Sequence, residues 1–120
     1  MKLKERIVEL IKEMGIPANI KGYYYLRYAV ELMYEDMSLM EAITKKFYPA
    51  IAKEFDTTAS RAERAIRHAI NVGWNRGNIK LQNKLFGYSV SIEKGCPTNS
   101  EFVVTLADYL HMESEGKADD

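Results

Sequence analysis

Within residues 59–76, small apolar residues recur at the spacing of an α-helix. They recur at i, i+3, i+4, i+7, i+8 and i+11, which places them on one face of an α-helix. The residues are Ala62, Ala65, Ile66, Ala69, Ile70 and Gly73. Such small side chains allow a second helix axis to approach to the short end of the usual separation of ~8–10 Å. The spacing therefore predicts a buried helix face with another helix packed closely against it.

The opposite face of this predicted helix carries long or polar side chains, and three of them are arginines. They are Ser60, Arg61, Glu63, Arg64, Arg67, His68 and Asn71. The chain of 120 residues has no net charge, but residues 57–84 contain six Lys and Arg against one acidic residue, and residues 85–120 contain two against seven. A local basic patch is typical of a protein that binds a polyanion. A solvated helix face that is basic without a partner is the alternative interpretation.

Apolar residues at helical spacing elsewhere predict that the whole fold is all-α. The predicted helices lie at 3–14, 22–36, 39–47, 48–55, 59–76, 80–86 and from Thr98 onward. Gly15 and Gly77 follow helix ends, where glycine is favoured. Ser38 is predicted to cap the third helix, and Thr98 with Glu101 has the spacing of a capping box. No stretch of the sequence has the ~20 apolar residues of a transmembrane helix.

Residues 48–76 have the layout of a helix-turn-helix: a short helix with Pro49 in its first turn, a polar break, and a long helix that Thr58 can cap. In that motif the second helix enters the major groove and its first residues meet base edges. An arginine can donate two hydrogen bonds to N7 and O6 of guanine, and a glutamate can accept one from the amino group of cytosine. The predicted DNA-binding residues are Thr58, Ser60, Arg61, Glu63, Arg64, Arg67, His68 and Asn71.

Two other classes of binding protein remain open at this point. One is a helical adaptor whose basic face meets an acidic protein, and the other is an RNA-binding module that stacks bases on tyrosines. No spacing suits a metal ion, and neither a nucleophile–base arrangement nor a glycine-rich phosphate loop is present, so we predict no enzyme, metal site or cofactor. The single cysteine, Cys96, is interpreted as a loop thiol in a reducing compartment, and His111 as a surface residue.

The stretch Phe55–Asn78, FDTTASRAERAIRHAINVGWNRGN, closely resembles the DNA-binding effector domain of the sporulation master response regulators of endospore-forming Firmicutes. Residues 15–36, GIPANIKGYYYLRYAVELMYED, are similar to the same family. So are ITKKFYPAIAKEF at 43–55, LFGYSVS at 85–91 and PTNSEF at 97–102, in the same order. The resemblance covers roughly residues 5–113.

This resemblance implies an all-α six-helix bundle with a helix-turn-helix, of the winged-helix-like, response-regulator effector type. It implies one effector domain over residues 1–113, followed by an acidic tail at 114–120 that we expect to be disordered. It also implies a cytoplasmic, nucleoid-associated protein that activates or represses genes at entry into sporulation by binding double-stranded promoter DNA. No receiver domain, the phosphorylated partner domain of the full regulators, is visible in the sequence.

Two protein contacts follow from the same resemblance. The segment that touches the RNA polymerase sigma factor in the family corresponds to Leu81, Lys84, Leu85, Phe86, Tyr88 and Ser91. Self-association head to tail on tandem DNA sites is also implied. For the contact between copies, we expect the last helix, around residues 102–110, and its neighbouring loops.

Overall fold

The computed structural model describes residues 2–87 and 95–116. This part of the chain contains six α-helices and no strand. The helices are α1 (Leu3–Glu13), α2 (Lys21–Glu35), α3 (Tyr48–Glu54), α4 (Ala59–Arg76), α5 (Ile79–Phe86) and α6 (Asn99–Ser114). The prediction of an all-α six-helix bundle is therefore confirmed.

The helix predicted over residues 39–47 is wrong. A 3-10 helix at Met37–Glu41 is followed by a π-helical turn at Ile43–Phe47, and the backbone breaks at Ala42, where φ is −139°. Leu39 and Phe47 are both buried on either side of this break. Burial of these two side chains in the common core outweighs the local helix preference of the sequence.

The cap of this segment also differs from the prediction. The side chain of Asp36, and not that of Ser38, accepts the hydrogen bond at the N-terminus of the 3-10 helix. Its donor is the backbone N–H of Ser38, at 3.0 Å. Aspartate and serine are equally good capping residues, so the sequence alone does not decide which of the two caps this helix.

The centre of the bundle is α2, which makes its most extensive contacts with α4 and α6. Its buried face, Leu26, Ala29, Val30 and Met33, has no exposure to solvent. The apolar faces of α1, α4 and α6 meet it in a single core. Since α2 is fixed on two sides, it supplies a rigid support for α4.

The close helix crossing predicted from the small residues lies between α2 and α4. A Cβ atom placed on Gly22 would overlap the Ala65 carbonyl oxygen and would lie 2.8 Å from the Cβ of Ala69. At the other end of α4, a Cβ atom on Gly73 would lie 2.6 Å from Cγ1 of Ile16. Ala62, Ala69 and their neighbours on the predicted face are buried, but Ala65 is only half-buried.

The predicted helix ends are confirmed. Gly15 and Gly77 have φ of 85° and 74°, the left-handed conformation that glycine adopts without strain. Thr98 and Glu101 form the capping box at the start of α6. These signals are local in sequence, which is why they could be found without the structure.

The end of α6 is tied to the rest of the bundle. Arg6 donates two hydrogen bonds to Glu113, Nε to Oε1 at 2.6 Å and Nη2 to Oε2 at 2.8 Å. His111, which is predicted to be a surface residue, is half-buried, and its ring stacks on Tyr34 with centroids 3.8 Å apart. Its Nε2 lies 2.8 Å from the Tyr34 carbonyl oxygen, so this nitrogen carries the proton and donates. Residues 117–120 of the predicted tail lie outside the described residues.

Candidate nucleic-acid interface

A turn of four residues joins α3 to α4. The backbone N–H of Thr57 donates to the carbonyl oxygen of Ala52 at 2.9 Å, which is the long hydrogen bond of a Schellman motif. Asp56 occupies the left-handed position of this motif with φ of 51°. The motif ends α3 and turns the chain within four residues.

The N-terminus of α4 is capped as predicted. Thr58 has an extended backbone, and its Oγ1 accepts a hydrogen bond from the backbone N–H of Arg61 at 3.1 Å. The cap fixes where the first turn of α4 begins. Consequently Ser60, Arg61 and Arg64 are exposed on the outer face of this turn, with Arg67 and His68 one turn later.

Glu63 and Arg67 form an ion pair between Oε1 and Nη2 on the surface of α4, four residues apart. The side chains are 34% and 57% exposed, so both can still reach a ligand. The pair places one acceptor beside one donor in a fixed order along the helix. Within a basic face, this arrangement favours base recognition over attraction to phosphate alone, because the carboxylate repels phosphate.

The segment before α6 lies against the edge of α4. Asn71 donates through Nδ2 to the Arg67 carbonyl oxygen at 2.9 Å, and its Oδ1 accepts from the Cys96 thiol at 2.9 Å. Burial raises the pKa of the Cys96 thiol, which keeps it in the protonated, donating form. Cys96 is therefore half-buried and tied to the helix, so it is a structural contact as well as a loop thiol.

Asn99, the first residue of α6, contacts α4 at a second point. Its Nδ2 donates to the Glu63 carbonyl oxygen and to the Tyr48 hydroxyl, each at 2.9 Å. Burial is the dominant influence on the Tyr48 hydroxyl and raises its pKa. Asn99 is not among the residues predicted from the sequence, because its partners lie 36 and 51 residues away and no local pattern marks such a contact.

The outer face of α4 is therefore an exposed, mainly cationic surface on a helix held in place by α2, α3 and α6. The sequence also matches, over residues 7–110, the protein family described as "Sporulation initiation factor Spo0A C terminal". The chain belongs to this family. Its members are DNA-binding transcription regulators of sporulation rather than enzymes, and in full length they carry a receiver domain.

The residues that we expect, from the resemblance, to contact the sigma factor lie on α5 and beyond it in the sequence. Lys84 is exposed, and its Nζ lies 5.7 Å from the centre of the Tyr109 ring. Leu81 and Leu85 are half-buried, and Phe86 is buried against Trp74 and Phe102. Tyr88 and Ser91 lie outside the described residues. Phe86 thus packs α5 against the core, and its side chain is not exposed for a contact with another protein.

The last helix, at which together with its neighbouring loops we expect contacts between copies, is α6, and its apolar face is part of the core. Phe102, Val103, Leu106, Ala107 and Leu110 are all buried. These side chains are covered by α2 and its neighbours, so a contact between copies through α6 or its loops, which stays a prediction, has to use other side chains. Only side chains such as Asp108 remain exposed on this helix between 102 and 110.

Two further properties concern only the described residues. Within 2–87 and 95–116, no helix is long and apolar enough to cross a membrane. In the same ranges, no group of three or more His, Cys, Asp or Glu side chains is arranged to hold a metal ion.

Proposed function

We propose that the domain binds double-stranded promoter DNA in a sequence-specific manner, with α4 in the major groove. The observation that carries this proposal is the exposed face of α4, whose first turns present Arg61, Arg64 and Arg67 next to a single carboxylate. The capped N-terminus of the second helix of a helix-turn-helix is the part that meets base edges in this class of motif.

The side chains divide by chemistry. Arg61, Glu63 and Arg67 contact base edges, since guanidinium groups donate in pairs to guanine and a carboxylate accepts from cytosine. Arg64, His68, Ser60 and Thr58 contact the sugar–phosphate backbone, which fixes the register. Asn71 has one amide hydrogen that the Arg67 carbonyl does not take, and it offers this hydrogen to the backbone at the far end of the site.

We infer two protein partners from membership of the family. The exposed parts of α5, with Lys84 and the edges of Leu81 and Leu85, together with Tyr88 and Ser91, meet the sigma factor of RNA polymerase. Two copies bind head to tail on tandem sites, using surfaces other than the buried face of α6. The target DNA puts the site of action at the nucleoid, in the cytoplasm.

The proposal is tested by selection from a library of random duplexes, followed by titration of the selected duplex, a scrambled duplex and a single-stranded RNA at moderate salt. A sequence-specific DNA-binding domain binds its selected duplex about 10³-fold or more tightly than the scrambled one. Equal binding of both duplexes would favour an adaptor with a basic face, and preference for the single strand would favour the RNA-binding module.

A further inference from the structure

Asn99 is an exception in the core of the described residues. With 7% exposure it is the one polar side chain among them that is classed as buried. Its Nδ2 has two partners, but its Oδ1 has none among these residues. A buried acceptor without a partner destabilises the folded state, and an apolar residue of the same shape would avoid this. The unpaired acceptor is therefore costly to stability at this position.

The two partners of Asn99 lie on the two helices of the helix-turn-helix. Tyr48 is the first residue of α3, and Glu63 is on α4. Because the bond to Glu63 is to its main-chain oxygen, Asn99 fixes the backbone that carries the Glu63–Arg67 ion pair. The same amide group holds α3, α4 and α6 at one point, directly beneath the candidate DNA-binding face.

A second contact strengthens the same connection. The Cys96 thiol binds Asn71, which in turn binds the Arg67 carbonyl oxygen. The segment 96–99 thus contacts α4 next to Glu63, Arg67 and Asn71, at steps of four residues along one edge of the helix. Hydrogen bonds at this spacing constrain the rotation of α4 about its own axis, which decides how Glu63 and Arg67 face a groove.

We propose that Asn99 is a positioning residue for base recognition: it holds the Glu63–Arg67 pair in register with the DNA without touching the DNA itself. This inference rests on the proposed function. It assigns to a buried side chain of α6 a part in specificity, while the arginines supply most of the affinity for the duplex.

The test compares wild type with Asn99→Leu, which keeps the number and branching of side-chain heavy atoms and removes both donors and the unpaired acceptor. The probes are the duplex that wild type selects from a random library and a scrambled duplex, and thermal unfolding is measured alongside. Asp108→Asn, on the exposed face of α6, is the matched control and retains wild-type behaviour.

We expect Asn99→Leu to remain folded at the assay temperature, to bind the scrambled duplex as wild type does, and to bind the selected duplex about tenfold more weakly. The base positions at which Asn99→Leu loses preference should be those at which Glu63→Ala also loses preference. If Asn99→Leu is unfolded at the assay temperature, Tyr48→Phe is measured in its place, because it removes one hydrogen-bond partner of the Asn99 amide. We expect Tyr48→Phe to lose less affinity for the selected duplex and to bind the scrambled duplex as wild type does.

Equal loss of affinity for both duplexes in proportion to a lower melting temperature would overturn the inference, because Asn99 would then act through stability alone. Unchanged affinity and base preference would overturn it too. If wild type itself does not distinguish its selected duplex from the scrambled one, the proposed function fails, and this inference fails with it. If wild type and Asn99→Leu distinguish the selected duplex from the scrambled one to the same degree, only this inference is wrong and the proposed function stands.

Discussion

Gly22 of α2 lies directly against the main chain of Ala65, which is in the first half of α4. A Cβ atom on Gly22 would overlap the Ala65 carbonyl oxygen and would be 2.9 Å from the Ala65 carbonyl carbon. Main-chain atoms of a helix cannot rotate away as the end of a flexible side chain can. The position of α4 relative to the core therefore depends on the absence of a single side chain on α2.

Gly22→Ala is expected to destabilise the domain by about 1–3 kcal/mol, because α2 and α4 must separate to admit the methyl group. The higher helix propensity of alanine offsets only part of this. Urea unfolding measures the effect, and operator affinity should fall with it. Lys21→Ala, at the exposed neighbouring position, is the control and stays within about 0.5 kcal/mol of wild type. Equal stability of the two variants would show that α2 and α4 do not meet this closely.

Asp56 is expected to tolerate only residues that accept a left-handed backbone. Asp56→Val should lower the free energy of unfolding by about 1–2 kcal/mol, since a β-branched residue is strained at φ of 51°. Asp56→Asn keeps the conformational tolerance and removes the charge, and it should match wild type. Chemical denaturation of the three proteins compares them. A loss in Asp56→Asn as large as in Asp56→Val would assign the effect to charge rather than to the turn.

The Arg6–Glu113 pair should stabilise the domain in a pH-dependent way. Hydrogen bonding to Arg6 lowers the pKa of Glu113 below its ordinary value. Its contribution is therefore present above the pKa of the unfolded state, about 4.3, and is lost as pH falls through the lower folded-state pKa.

The matching variant is Glu113→Gln. It should be less stable than wild type by about 1 kcal/mol at pH 7, since the pair is bidentate and partly buried. The difference should shrink toward zero near pH 2, when Glu113 is protonated in both states. Glu9→Gln, whose carboxylate is more exposed and 3.6 Å from Arg6, is the control with a smaller effect. A difference that is independent of pH would contradict the assignment.

Much of the fold could be predicted because its signals are local. The stripe on α4, the glycines that end α1 and α4, and the Thr98–Glu101 capping box each depend on residues within a few positions of one another. The segment 37–47 could not be predicted, since the break at Ala42 serves the burial of Leu39 and Phe47 in a core assembled from distant helices.

The candidate site also has a part that could be predicted from the sequence and a part that could not. The exposed polar face of α4 followed from periodicity alone, and the structure places Arg61, Arg64 and His68 on it. The contacts of Cys96 and Asn99 with α4 could not be found, because they join residues 25 and 36 positions apart. The contact of His111 with Tyr34 could not be predicted for the same reason, since the two residues are 77 positions apart.

Arg64 is expected to act on phosphate and not on sequence. Arg64→Ala should weaken binding to the selected and scrambled duplexes alike, and it should reduce the slope of log K against log salt by about 1. Lys12→Ala, an exposed cation on α1 away from the motif, should leave the slope unchanged. Titrations at several salt concentrations provide the comparison. A slope equal to that of wild type, with preference lost at one base pair, would move Arg64 to the base-reading residues.

The base preference at each position of the selected duplex shows whether α4 reads bases through Arg61, Glu63 and Arg67. This is measured for wild type, Arg61→Ala, Glu63→Ala and Arg67→Ala against every single-base variant of that duplex. We expect each substitution to cost about 1–3 kcal/mol on the selected duplex and to remove the preference at its own one or two positions. Three variants that weaken all duplexes equally and keep the wild-type preference at every position would contradict this expectation.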